Sequence, residues 1–448
     1  MMPFYTAQTV GCKLFRAAVI VMLTCVISQL CLAAKLRQRP TTGVYLTRDA
    51  QQVRSLAQHT PGAYWIDGYQ MVVSSETRVC WHNAPLKFSS VLNGDDQSFP
   101  RLSKTSSCES APVDSVVRNA WLQYLGVQRY EGYYWLAPVT SVIASRIDIW
   151  RNDDGRDGAQ GTPRQTWREL CASTSPHELN FPNEGPIDVV CDGRVNSFVE
   201  NLFSSLLRRP ATTSDAPIAK REVPSFYVVK PFEVRRNYDF EVVAGLTAIC
   251  GLQGTLCKYQ YPRAHSMVRN IVFAPDGTIL IADAGFAHLA NEAEFAALLS
   301  YSLAATEQNL VRRLFRAQRF RAGRWSSSGD RNGFRIWQFT RSLNEQVLRL
   351  GMSQMYEAGY DIRYTPLAWS VERGKRTKGP LTVPDYRHMP WYAAYAFNYI
   401  SQYYKDVDYS KLKRGRKEYQ QFLQDLRKAD PEAFAGQASG PKQAARAH

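Results

Sequence analysis

"NIVFAPDGTILIADAGFAHLANEAEFAALLSYSLAATEQNLVRRL" runs from Asn270 to Leu314 and decides how this chain is read. Its first third, "IVFAPDGTILIADAG", holds two strand-like runs around an Asp-Gly pair, which predicts a β-hairpin. "NEAE", Asn291 to Glu294, follows as a capping-box pattern. The Asn291 side chain can accept from a free helical N–H, and Glu294 can reach back to the start of the helix. Phe295, Leu298, Leu299 and Leu303 then recur at helical spacing, and Leu310 extends that face. The pattern predicts a helix from Glu292 to about Arg321.

"ANEAEFAALLSYSLAA" also resembles a known helix. It is similar to the "needElaavLaHEiaH" helix of the HtpX- and Oma-type zinc metallopeptidases, family forty-eight of the metallopeptidases. In that register Tyr301 falls on the first histidine, Ser302 on the glutamate and Ala305 on the second histidine. A later segment, "NEQVLRLGMSQMYEAGYDIRYTP", resembles the family's "ExEAD…G…m…aGYD" helix. Glu345 is matched to the third zinc ligand, and Val347, Leu348 and Arg349 replace Glu-Ala-Asp. Gly351, Met355, Ala358, Gly359, Tyr360 and Asp361 match the rest. The resemblance covers about Phe232 to Trp369. It implies a zincin-type fold whose groove takes a peptide as an added strand.

The residues at the matched positions do not supply the chemistry. HExxH works because residues four apart share one helical face, so two imidazoles reach one ion. The glutamate between them takes a proton from the bound water. Ala305 has no donor atom, Tyr301 carries a phenol that stays protonated at neutral pH, and Ser302 is no base there. Glu345 alone does not make a three-ligand site. Arg349 puts a positive charge where the family keeps a negative one. No other histidines form an i, i+4 pair: His265, His288, His388 and the terminal His448 stand apart. "SYSLA" is not a nucleophile elbow, so Ser302 has no hydrolase context. The expectation is a degenerate member without cofactor, zinc being required only by an active enzyme with an atypical site. Another alternative is a structural envelope protein that acts through its N-terminal half.

The rest of the chain sets the compartment. Lys13 and Arg16 precede an apolar run, Ala17 to Ala34, that reads as a secretory signal with cleavage near its end. An uncleaved N-terminal anchor is the alternative. Of 9 cysteines, Cys12, Cys25 and Cys31 leave with the signal. The other six suggest disulfides, most simply Cys80–Cys108, Cys171–Cys191 and Cys250–Cys257, although six cysteines allow about 15 pairings. A periplasmic or secreted location follows, which removes nucleic acid as a partner. The net charge of +15 favours anionic partners. "VRRLFRAQRFRAGRW" places Arg312, Arg316 and Arg319 on one helical face, suited to an anionic membrane surface or an acidic protein. "RNDDGRDG", Arg151 to Gly158, lacks the alternation of a calcium loop and reads as a turn.

Residues 1–34 are thus the signal, and 35–223 a β-rich N-terminal domain. Residues 224–400 are a metallopeptidase-like domain and 401–448 a basic C-terminal tail. Within the first domain "GAYWIDGYQMVVSS", "YEGYYWLAPVTSVIASRIDIW" and "PIDVVC" read as strands. "DAQQVRSLAQ" and "VNSFVENLFSSLLRR" read as helices, the second through Phe198, Leu202, Leu206 and Leu207. "RPATTSDAPIAKREVPS" reads as the linker between the domains. In the tail, Phe422 and Leu426 suit a short docking helix. The fold class expected is α+β: a mainly β domain, then a zincin-type helical domain with a small sheet. The function expected is that of an exported pseudopeptidase that binds protein or peptide in the cell envelope.

Overall fold

The computed structural model describes residues 35–47, 49–85, 120–131, 139–151, 166–173, 177–179, 186–207, 223–230, 241–242, 271–273, 278–282, 286, 289–308, 310, 331–370 and 391–431. Within these residues the chain is an α+β protein. A six-stranded sheet holds β1 (Lys35–Thr47), β2 (Gly62–Ile66), β3 (Tyr69–Val73), β4 (Arg78–Pro85), β5 (Ala120–Glu131) and β6 (Val139–Arg151). The order is β1-β5-β6-β3-β2, with β4 pairing the other half of β6. β2 and β3 form a hairpin, and Asp67 and Gly68 take positive φ at its turn, as a two-residue hairpin requires. Helix α1 (Ala50–Ala57) is capped by Asp49, whose side chain accepts from the Gln52 N–H. It buries Val53 and Leu56 against one sheet face, with Leu122, Tyr124, Ile147 and Ile149.

A second sheet has the order β10-β11-β12-β9, from β9 (Phe226–Val229), β10 (Glu241–Val242), β11 (Ile271–Phe273) and β12 (Ile279–Ala282). The β11–β12 hairpin is the one expected from the Asp-Gly pair. Leu170 of the short helix α2 (Trp167–Ala172) packs under this sheet with Leu179 of β7 (Glu178–Leu179) and Ile187 of β8 (Ile187–Asp188). Cys171–Cys191 is a disulfide, as expected, and ties α2 to the start of α3 (Gly193–Leu207). Cys80 is also disulfide-bonded. Its expected partner Cys108 lies outside the described residues, as do Cys250 and Cys257.

Two expectations change. The central helix α4 spans Glu292–Glu307 with Gln308 at its C-cap, so it stops well before Arg321. Arg312, Arg316 and Arg319 lie outside the described residues, as does the signal segment. The basic tail is, in part, core. Residues 401–403 complete α7 (Trp391–Tyr403), and α8 (Arg416–Ala429) buries Tyr419, Phe422, Leu423 and Leu426. Those four sit at i, i+3, i+4 and i+7, one helical face, and the Tyr419 and Phe422 rings meet Phe198 of α3, Phe286 before α4 and Phe295 within α4. The docking helix therefore docks on its own chain. The same core joins Val44, Leu46 and Trp121 of the large sheet to α3, α4 and α5 (Arg331–Glu357). One apolar cluster thus runs through the expected domain boundary at residues 223–224. No helix among the described residues is long and apolar enough to cross a membrane.

Candidate functional site

Helix α4 carries three of the four family-equivalent positions, and the sequence gives it no polar side. Every residue from Glu292 to Ala305 is buried. The expected face of Phe295, Leu298, Leu299 and Leu303 is only part of this. Ala296, Ala297, Ser300, Ser302, Ala304 and Ala305 are small, so other elements approach on the remaining sides. At Gly351 of α5 a Cβ would stand 2.9 Å from the Tyr301 backbone nitrogen. Glycine at that position is what lets the two helices touch.

Tyr301 is 1% exposed, Ser302 0% and Ala305 1%. The Tyr301 hydroxyl donates to Asn344 Oδ1 at 2.6 Å, and its ring packs edge-on against Trp369 with centroids 5.0 Å apart. Burial holds the phenol well above its ordinary pKa, so it stays protonated. Ser302 Oγ donates to the Leu298 carbonyl at 2.9 Å, a bond back along the helix. Ala305 adds only its methyl group. These positions together form packed core.

The residue α5 brings to the Tyr301 hydroxyl is Asn344. Glu345, the position matched to the third ligand, is half-buried and exerts its charge on Tyr69 and Tyr395. One step along a helix is about 100° of turn, so neighbouring residues on α5 serve different surroundings. His265, His288, His388 and His448 lie outside the described residues. No group of three or more His, Cys, Asp or Glu side chains able to hold a metal occurs among the described residues.

A turn beyond Glu345, Arg349 does what sequence reasoning did not foresee. It is buried, and its Nε donates to the Asp67 carbonyl at 2.8 Å. Its Nη2 donates to Asp67 Oδ2 at 2.9 Å and its Nη1 to the Tyr395 hydroxyl at 2.7 Å. The guanidinium carbon lies 4.2 Å from the centre of the Tyr69 ring. Tyr124 also donates to Asp67 Oδ2, and Tyr399 donates to the Gly68 carbonyl. Burial is the largest single influence and opposes the Arg349 charge, but Asp67 together with Tyr395, Tyr69 and Tyr124 outweighs it, and the guanidinium pKa is raised. The knot fastens the β2–β3 turn to α5 and α7. Its signals in the sequence were an Asp-Gly turn and an arginine inside an apolar helical run.

Two further contacts join sheet and helices. Gln308 accepts from the Leu46 N–H at 2.9 Å and donates to the Leu46 carbonyl at 3.0 Å. Gln346 donates to the Val44 carbonyl at 2.6 Å. Side-chain amides thus occupy the outer edge of β1, where another strand would otherwise pair.

The "GYD" run also has a structural use. Gly359 takes φ of 81° and ends α5, with the Tyr360 N–H returning to the Met355 carbonyl at 3.0 Å. The Tyr360 hydroxyl donates to Glu292 Oε1 at 2.5 Å, and Lys413 Nζ reaches the same oxygen at 2.6 Å. Burial, with the Glu292 bond, raises Tyr360 to about 12. Asp361 pairs with Arg363 and Arg414. The carbonyls of Arg414 and Gly415 accept from the first N–H groups of α4. Asn291 accepts from Glu294, as expected. The Glu294 carboxylate accepts from the Ala290 N–H, one residue earlier than the expected capping box places it.

A separate polar cluster lies in the large sheet. Asp148 is fully buried and accepts from Arg146 Nε at 2.6 Å and Nη2 at 2.7 Å. His82 Nε2 lies 2.6 Å from Asp148 Oδ1, and the His82 ring stacks on Trp150 with centroids 3.8 Å apart. Burial works against the Asp148 charge, and the bonds from His82 and Arg146 more than offset it, lowering the carboxyl pKa. No family model, curated protein or solved structure matches the chain.

Proposed function

We propose that this protein is a non-catalytic relative of the HtpX- and Oma-type metallopeptidases that binds protein or peptide in the cell envelope without cleaving it. The observation that carries this reading is the packing at Tyr301. Its hydroxyl is bonded to Asn344, its ring rests on Trp369, and the Ser302 hydroxyl is turned onto its own helix. A catalytic zinc needs three protein ligands and an open position for water. A phenol held protonated by burial, a back-bonded serine and a methyl group supply neither ligand nor base. The Cys171–Cys191 disulfide supports an oxidising compartment. Strand addition at a sheet edge needs no metal, so the binding part of the family's chemistry can outlast the zinc.

The test is a cleavage assay on the full mature chain with disulfides intact, using fluorescently labelled casein and added zinc. The expected result is no cleavage above a zinc-only control. Cleavage that requires the protein and stops with chelator would overturn the proposal.

A further inference from the structure

We infer that the outer edge of β2 is where an extended peptide adds to this protein, with Trp65 as its anchor. This rests on the peptide-binding reading above and assigns it a place. β1 and β2 terminate the main path of the large sheet. At Val44 and Leu46 the outer side of β1 is taken by the Gln308 and Gln346 amides. β2 is open. Its hairpin closes on the pair Ile66 and Tyr69 around a two-residue turn, so Ile66, Tyr64 and Gly62 direct their backbone groups to β3. Ala63 and Trp65 direct theirs outward. The Trp65 carbonyl shows this, since it accepts from Gln52 Nε2 at 2.7 Å.

Three outward groups remain: the Trp65 N–H and both the N–H and carbonyl of Ala63. Among the described residues none of the three has a partner. Backbone groups repeating every two residues, about 7 Å apart, are matched by another extended backbone. That identifies the occupant as a peptide strand. The Gln52 contact closes one end of the edge and sets where the incoming strand begins.

The side chains fit the same occupant. Trp65 is 49% exposed, the one large hydrophobic residue so exposed among the described residues. Its inner side meets the Tyr403 ring at 6.1 Å. Ala63 shares its face of the strand and is small, so the indole stands clear for an apolar side chain of the peptide. The edge is also held rigid. Arg349 bonds Asp67 and Tyr399 bonds Gly68, so the hairpin turn is fixed to the helices before any ligand arrives.

The probe is a displayed library of random dodecapeptides, panned on the full chain with its disulfides intact. The tightest binders are then synthesised and titrated. Ala63→Pro removes one outward N–H and no β2–β3 bond, because proline is tolerated where the N–H faces solvent on an edge strand. It should weaken the selected peptides at least about tenfold, as should Trp65→Ala, which leaves the backbone intact. Amide exchange at Ala63 and Trp65 should slow when peptide is bound. Peptides that bind both variants as tightly as the wild type would place binding elsewhere, overturning this inference while the peptide-binding reading stands. A library that yields no binder would remove both.

Discussion

Two faces of helix α5, a few residues apart, have taken opposite courses. Around Asn344 and Gly351 the helix lies against α4, where Tyr301, Ser302 and Ala305 are buried. There the Tyr301 hydroxyl donates to Asn344 across the two helices. Around Arg349 the helix carries a buried charge, an ion pair and four tyrosines. On one face Tyr301, Ser302 and Ala305 are packing, and on the other Arg349 ties the large sheet to the helices.

The largest effect is expected on the Arg349 side. Arg349→Met leaves Asp67 buried beside Tyr124 without its cation. It should cost about 3–5 kcal/mol of unfolding free energy in urea melts. The double variant with Asp67→Asn should lose less, because no uncompensated charge remains. A single-variant cost under about 1 kcal/mol would mean the knot is not a joint.

On the Tyr301 side the expected cost is smaller. Tyr301→Phe keeps the ring against Trp369 and leaves Asn344 Oδ1 without that donor. About 1–3 kcal/mol should be lost. If the variant instead unfolds outright, packing alone does not describe this face. Gln308→Met tests the seam between the two regions. It leaves the Leu46 N–H and carbonyl, both buried, without that partner, so about 1–3 kcal/mol should be lost. Faster amide exchange at Leu46 should accompany it, and an unchanged rate would show that Gln308 does not close β1.

The smallest effect is a dependence on pH. Asp148 has a lowered pKa when folded, so its contribution is complete above the ordinary carboxylate value near ~4. It is lost as pH falls through the folded value. Stability of the wild type should therefore drop more steeply below about pH 4 than that of Asp148→Asn, by at most one proton, or about 1.4 kcal/mol per pH unit. Parallel slopes from pH 5 to 2 would contradict the lowered pKa.

Much of the local structure was legible. The β11–β12 hairpin followed from its Asp-Gly pair, the start of α4 from Asn291, α3 from its apolar spacing and Cys171–Cys191 from proximity in sequence. Tertiary commitments were not. The end of α4 is set where Gln308 turns its amide to Leu46, 262 residues away, and no local signal carries that. In α8 only Phe422 and Leu426 were read as a docking face, and the charge around them made the segment read as a tail. At the candidate site, Tyr301, Ser302 and Ala305 were identified from the register, and their packing was not. Asn344 and Arg349 matter because of what faces them across the core, which only the fold determines.

The central proposal is that Tyr301, Ser302 and Ala305, the positions aligned with a zinc site, are packed core that holds no metal. Its most direct measurement is the metal content of the purified mature chain after equilibration with zinc and desalting, read by inductively coupled plasma mass spectrometry. The account predicts no zinc above the buffer blank. One tightly held zinc per chain, lost together with a peptidase activity on chelation, would contradict it.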